Sequence, residues 1–234
     1  MNWLTKLEVN AQTLRNEGIC DDIYSWHKLL WQCYPGDPDA KRDFLTRTDQ
    51  LEGTYRLWAL SQRKPVRPGW CPEEGFAVSA VSPSFLTHRF YSFDLRANPT
   101  KCLVQRGPQG ATLYRPNGKR THGKRVPLVK PDELRDWLMQ KGKVRALVSN
   151  KGEQPRELPG GFLIIESEER PLEIRPMTEK HFRKNEHAAY HGGVQFRGIL
   201  EVTDREHFIE SYKSGIGGAK GFGFGLLLLA PVNL

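Results

Sequence analysis

The chain has 234 residues, 38% of them hydrophobic, which is enough to form one large or two small globular domains. Its 35 lysines and arginines outnumber 27 acidic residues, and the formal charge of +8 favours a polyanionic partner without identifying it. The N-terminus alternates in polarity and no run of about 18 apolar residues occurs, so we expect a cytoplasmic protein without membrane contact.

The first 85 residues predict a domain with the order β-α-β-β-loop-β. A helix should begin at Asp21 and Asp22, continue through Tyr34 and stop at Pro35-Gly36. The proline-rich stretch 63–75 favours no helix, so the second helix of the pattern is degenerate. Strands are predicted at 3–9, 44–48, 54–62 and 76–81.

Residues 86–234 predict a second domain of similar order. Helices are expected at 131–141 and 204–214, and strands at 89–96, 144–149, 162–166 and 193–203, with a final strand after residue 225. We therefore predict an α+β chain of two tandem ferredoxin-like (RRM-like) βαββαβ domains, residues 1–85 and 86–234.

The first helix carries a candidate proton-transfer residue. Its apolar face consists of Ile23, Trp26, Leu30 and Tyr34, and His27 lies at the edge of that face. Tyr24 lies one turn before His27, and an edge histidine beside a phenol can move protons near neutral pH. The alternative is a histidine that only fills the rim of the core.

Two basic regions are candidates for phosphate contacts. The segment 115–125 contains five cations and no acid, namely Arg115, Lys119, Arg120, Lys124 and Arg125. Arg96 and Lys101 flank the end of a predicted strand. A solvated basic loop is an equally good interpretation of residues 115–125.

Glycines occupy six of the eleven positions from Gly215 to Gly225, with Lys220 among them. The segment fits neither the dinucleotide fingerprint nor the P-loop, because the glycine and Ser/Thr positions of those motifs are absent. Residues 220–224 match the start of an RRM signature, but only nine residues follow Gly225. We expect a backbone that closely approaches an anion, with Lys220 and the amides around Gly217 contacting phosphate.

No metal or cofactor site is predicted. Cys20, Cys33, Cys71 and Cys102 have neither C-x-x-C spacing nor paired histidines nearby, which argues against a zinc site and a disulfide framework.

Four blocks of residues in a fixed order carry a family resemblance. They are Tyr24-Ser-Trp-His-Lys-Leu-Leu-Trp31 with 38–44 downstream, Phe93-Asp-Leu-Arg-Ala-Asn-Pro99, Lys124-Arg-Val-Pro-Leu128, and Gly215-Ile-Gly-Gly-Ala-Lys220 with 226–231. Together they resemble the CRISPR-associated repeat endoribonuclease of type I-E systems, the CasE family of the Cascade complex.

The resemblance implies tandem ferredoxin-like domains that bind a CRISPR repeat hairpin, cut precursor RNA at the base of the stem and retain the product. It implies a metal-independent attack by the 2′-hydroxyl, with other Cascade subunits as partners. His27 matches the family's catalytic histidine and Tyr24 its neighbouring tyrosine, and Lys28 is a further candidate charge stabiliser. Two alternatives stay open: a non-catalytic subunit that binds hairpin RNA, and a basic scaffold whose partner is a protein.

Overall fold

The structure is a computed structural model that describes residues 1–16, 23–36, 42–103, 107, 114, 123–147, 156–177, 180–184, 187–191 and 193–234. Its helices are α1 (Ala11–Asn16), α2 (Ile23–Trp31), α3 (Pro131–Gly142) and α4 (Arg205–Ser214). Its strands are β1 (Asn2–Asn10), β2 (Phe44–Leu51), β3 (Thr54–Ser61), β4 (Phe76–Val81), β5 (Phe90–Ala97), β6 (Thr100–Leu103), β7 (Lys124–Pro127), β8 (Arg145–Leu147), β9 (Arg156–Leu158), β10 (Phe162–Ile165), β11 (Glu173–Pro176), β12 (Lys180–Lys184), β13 (His187–His191), β14 (Val194–Val202) and β15 (Leu227–Pro231).

The first sheet is antiparallel, with the strand order β2-β3-β1-β4. Its strands alternate buried and accessible residues, as expected where a helix covers one face. Between β3 and β4 the described chain contains a single turn of 3-10 helix, Glu73–Gly75, where a complete βαββαβ unit would have its second helix. This is the degenerate second helix that the sequence predicts.

Helix α2 packs on the first sheet through Trp26 and Leu30, which are 3% and 1% exposed. The helix ends at Trp31, one turn earlier than predicted. Residues 32–34 continue with bonds to carbonyls three residues back, and the N–H of Tyr34 donates to the Trp31 carbonyl at 2.9 Å. This tighter geometry explains why the pattern extends to Tyr34 although the α-helix does not.

The second sheet repeats the arrangement. Its strand order is β10-β14-β5-β15, with β11 also pairing with β14, and all of its pairings are antiparallel. Helix α3 lies between β5 and β10 along the chain, and α4 connects β14 to the glycine segment and β15. The order of strands and helices in this half matches that of a ferredoxin-like unit.

Several short elements were not predicted. Helix α1 follows β1 directly, and β6–β7 and β12–β13 form two-stranded ribbons. The strand predicted at 144–149 is present as β8, but it pairs with β9 in a third ribbon and not with the second sheet. Lys124 and Arg125, expected in a loop, lie in strand β7. In the described part of the chain, no helix is long and apolar enough to cross a membrane.

The two halves share packing at their junction. Leu45 and Leu60 of the first sheet belong to the core cluster that contains Leu95, Phe196 and Phe208 of the second half. The domain boundary between residues 85 and 86 stays a prediction.

Candidate active site

A cleft of about 400 Å³ lies where the first sheet, the second sheet and the glycine segment meet. Helix α2 contributes Trp26 and His27, and the second sheet contributes Arg96 and Gln195. Backbone and side chains of residues 221–224 form a further wall. The fold therefore brings three of the regions predicted to be functional, around His27, Arg96 and the glycine segment, into one concave site.

His27 is half-buried on the wall of this cleft, with its ring against those of Trp31 and Phe44. The indole N–H of Trp31 donates to its Nε2 at 3.1 Å, so the neutral ring carries its proton on Nδ1. Nδ1 is buried and has no hydrogen-bond partner among the described residues. Burial, and then the charge of Arg42, lower the pKa of His27 below its ordinary value. The imidazole is therefore neutral at pH 7.

The two other predicted catalytic residues lie on the same helix. Tyr24 lies in α2 one turn before His27, but its side chain is outside the described part of the structure. Lys28 follows His27 and is exposed to solvent. Their chemical roles stay predictions.

The glycine segment folds back on itself between α4 and β15. The N–H of Ile216 donates to the Gly225 carbonyl at 2.9 Å, and the N–H of Gly225 donates to the Arg96 carbonyl at 2.7 Å. Gly225 has φ +92°, and a Cβ there would lie 2.9 Å from the Ile216 carbonyl oxygen. At Gly217, with φ +86°, a Cβ would lie 3.0 Å from the Trp137 ring of α3. Glycine is thus required at both positions, because the segment passes close to its own backbone at Gly225 and close to α3 at Gly217.

Lys220 begins a 3-10 turn, Lys220–Phe222, that packs against α2 and β2. Its ammonium donates to the Ser214 carbonyl at the end of α4, at 2.5 Å. Burial, followed by the charge of Arg42, lowers the pKa of Lys220. The lysine thus contributes to holding the turn in place, and its contact with phosphate stays a prediction, as does that of Gly217.

Arg42 was not singled out from the sequence as a site residue. It is half-buried, and a Cβ on Gly221 would lie 3.2 Å from its Nη1, so the guanidinium lies against the glycine segment. This contact joins residues far apart in the sequence, and no local pattern predicts it. From the sequence, Arg42 was noted only as part of the 38–44 block.

A buried ionic network forms the floor between the two sheets. Arg47 of β2 is 2% exposed and donates to both carboxylate oxygens of Asp94 on β5, at 2.7 and 3.1 Å. Arg96 pairs with Asp49 at 2.8 Å and donates to the Thr48 carbonyl at 2.7 Å. Arg96, which was predicted as a site residue, and Arg47, which was not, are therefore fixed by carboxylates that come from the two sheets.

Of the remaining predicted cations, those that the structure describes do not line the cleft. Lys101 pairs with Glu133 at 2.7 Å, and Lys124 and Arg125 are exposed on β7. Arg115, Lys119 and Arg120 lie outside the described residues.

A further cation, Lys141 of α3, lies near this region. Its ammonium lies 5.3 Å from the centroid of the Trp137 ring, the ring that packs on Gly217. Burial, and then the charges of Arg145, Arg125 and Lys220, lower its pKa. These cations are thus close enough to interact, and together they connect the β6–β7 ribbon with the glycine segment.

Among the described residues, no group of three or more His, Cys, Asp or Glu side chains is placed to hold a metal ion.

The comparison with protein families identifies the chain. A family described as "CRISPR associated protein" matches residues 2–231. The chain belongs to this family. The match covers nearly the whole chain, including α2, the cleft and the glycine segment, and confirms the resemblance that the four sequence blocks indicated.

Two relatives have names that agree with this family, and each matches at least 90% of this chain. The chain is 27% identical over 213 residues to the CRISPR system Cascade subunit CasE of Escherichia coli K12, covering 90% of this chain and 93% of that protein. It is 28% identical over 242 residues to the CRISPR-associated endoribonuclease Cse3 of Thermus thermophilus, covering 98% and 100%.

A solved structure extends the likeness to three dimensions. The structure of Thermus thermophilus Cse3 bound to an RNA representing a pre-cleavage complex matches with a TM-score of 0.65 at 26% identity. The match covers 98% of this chain and 99% of that chain. Together with the strand orders, it confirms the predicted tandem ferredoxin-like fold.

Proposed function

We propose that this protein is an endoribonuclease that binds the hairpin of a CRISPR repeat, cuts precursor RNA at the base of the stem and retains the guide RNA. Its two curated relatives are a Cascade subunit and a CRISPR-associated endoribonuclease. The observation that carries the proposal is His27, a neutral imidazole in a cleft lined by arginine and glycine backbone. A cytoplasmic location, where precursor RNA is available, belongs to the same proposal.

Cleavage proceeds by attack of the 2′-oxygen on the adjacent phosphorus. The new bond closes a 2′,3′-cyclic phosphate as the bond to the 5′-oxygen breaks, and the leaving oxygen departs as a 5′-hydroxyl. The 2′-hydroxyl must lose a proton and the leaving oxygen must gain one. His27 acts as general acid or base in these transfers, Tyr24 orients or relays a proton, and Lys28 stabilises charge.

The RNA is held by phosphate contacts. An A-form stem hides its base edges in a deep and narrow groove, so a hairpin is recognised by shape and backbone. We propose that the contacting residues are Arg96, Lys101, Arg115, Lys119, Arg120, Lys124, Arg125, Gly217 and Lys220. The described members lie on the cleft, the β6–β7 ribbon and the glycine segment. Other Cascade subunits are the proposed protein partners.

Replacing His27 by alanine tests the assignment. We expect His27→Ala to lower the single-turnover cleavage rate of a repeat RNA from the same organism by about 10²- to 10⁴-fold, the usual contribution of general acid–base catalysis. The affinity for uncleaved RNA should stay close to that of the wild type. His88→Ala, at an exposed histidine outside the cleft, is the matched control. Unchanged cleavage by the His27 variant would contradict the assignment.

A further inference from the structure

Three nitrogen-bearing side chains converge on the glycine segment from different elements. The Arg42 guanidinium lies against Gly221, the Lys220 ammonium lies in the same 3-10 turn, and His27 lies on α2, which packs against that turn. The charge of Arg42 is close enough to lower the pKa values of both His27 and Lys220. Two cations, Arg42 and Lys220, beside the neutral ring of His27 form a place suited to an anion.

Arg42 differs from the other arginines around the cleft in having no carboxylate partner among the described residues. Arg47 and Arg96 are paired with Asp94 and Asp49, respectively. The acid next to Arg42 in sequence, Asp43, instead accepts two hydrogen bonds from Arg63, at 2.7 and 2.9 Å. Partial burial of this guanidinium costs free energy that no carboxylate among the described residues offsets, and a bound anion would recover it.

We propose that Arg42 is a catalytic residue that binds the non-bridging oxygens of the scissile phosphate. This inference rests on the endoribonuclease function proposed above. A phosphodiester carries one negative charge, whereas the phosphorane formed by 2′-oxygen attack carries two. A cation at these oxygens therefore stabilises the transition state more than the bound substrate. The planar guanidinium also presents two parallel N–H donors, which matches two oxygens on one phosphorus atom.

The position of Arg42 is consistent with this role. It precedes β2 by two residues, and Phe44, the first residue of β2, contacts the His27 ring with centroids 6.1 Å apart. Arg42 is therefore tied to the same packing that holds His27. The glycine at position 221 leaves room for the guanidinium, because a Cβ there would meet Nη1 at 3.2 Å.

Single-turnover cleavage by Arg42→Ala, Arg42→Lys and the wild type tests the proposal. We expect Arg42→Ala to cleave about 10²-fold more slowly, in line with the loss of one donor to a developing oxyanion. Its affinity for a repeat RNA with a 2′-deoxy cut position should change by less than about tenfold. Arg42→Lys should recover part of the rate, and guanidinium ion at millimolar concentration should partly rescue Arg42→Ala, whereas equal sodium should not.

Arg56→Ala is the matched control, because it removes an equal charge from β3, outside the cleft, and should cleave at the wild-type rate. If the wild type cleaves and Arg42→Ala, folded by circular dichroism, cleaves equally fast, the role of Arg42 is wrong while the endoribonuclease function stands. A slow Arg42→Ala that neither guanidinium nor Arg42→Lys rescues would show a structural role and also overturn the inference. A wild type that binds but does not cut the RNA would instead contradict the function itself.

Discussion

His27 is held in the neutral state by its surroundings. Its Nε2 is occupied by the Trp31 N–H, its Nδ1 is buried, and the ring packs between aromatic side chains. Among the described residues, the charge that acts on the ring is that of the cation Arg42. Each of these features disfavours the imidazolium, so the ring is in its neutral base form at neutral pH before RNA binds.

A proton titration of the RNA-free protein checks this state. Burial and Arg42 lower the pKa of His27 from 6.5, so its NMR titration midpoint should lie below that value and rise in Arg42→Ala. Because the unfolded chain then binds the proton more tightly, the contribution of His27 to stability is complete above pH 6.5. It is lost as the pH falls toward the lower folded-state pKa. A midpoint above 6.5 would show that the described surroundings do not govern the ring.

At the scale of elements, β2 connects the catalytic helix to the second half. Its buried Phe44 packs on α2, whereas Arg47 reaches Asp94 of β5. Asp94 also accepts hydrogen bonds from Gln195 and Arg197 of β14. Burial alone would raise the pKa of Asp94, but Arg47 and these neighbours outweigh it and lower the pKa. The network therefore fixes one wall of the cleft relative to the other.

Removing Arg47 should destabilise the whole protein. Arg47→Met keeps most of the side-chain volume but leaves Asp94 and Asp49 without their buried partner, and we expect the free energy of unfolding in urea to fall by about 3 kcal/mol. Arg89→Met is the control, because Arg89 is 72% exposed and its pair with Glu201 is solvent-screened. A similar loss in both variants would mean that the network contributes no more than a surface pair.

Elements with strong local signals were predictable, and contacts between distant residues were not. Helix α4 is preceded by Asp204, whose carboxylate accepts the His207 N–H at 3.1 Å, and is followed by Gly215 with φ +77°. Both capping residues are visible in the sequence. The Arg47–Asp94 pair joins residues 47 positions apart, and no local pattern indicates it. The edge position of His27 follows from local periodicity and was predicted, whereas its bond to Trp31 and the place of Arg42 against Gly221 depend on packing and were not.

At the scale of the molecule, basic residues run from the cleft to the β6–β7 ribbon. The charge of Arg42 lowers the pKa of Lys220, and the charge of Lys220 lowers the pKa of Lys141. Arg125 of β7 also lowers the pKa of Lys141. This continuous path agrees with the overall charge of +8 and with a ligand that extends beyond the cleft. A hairpin whose base lies at His27 could extend along such a path.

The most direct test is to incubate the protein in excess EDTA with a repeat RNA from the same organism, beside an identical RNA with one 2′-deoxy nucleotide at the cut position. We expect the first RNA to be cut and the second to be bound but left intact, because the 2′-oxygen is the nucleophile and this chain's own side chains move the protons. Cutting of the 2′-deoxy RNA, or loss of all cutting in EDTA, would contradict the mechanism. Tight binding without cutting of either RNA, with or without EDTA, would contradict the enzymatic function and favour a hairpin-binding subunit.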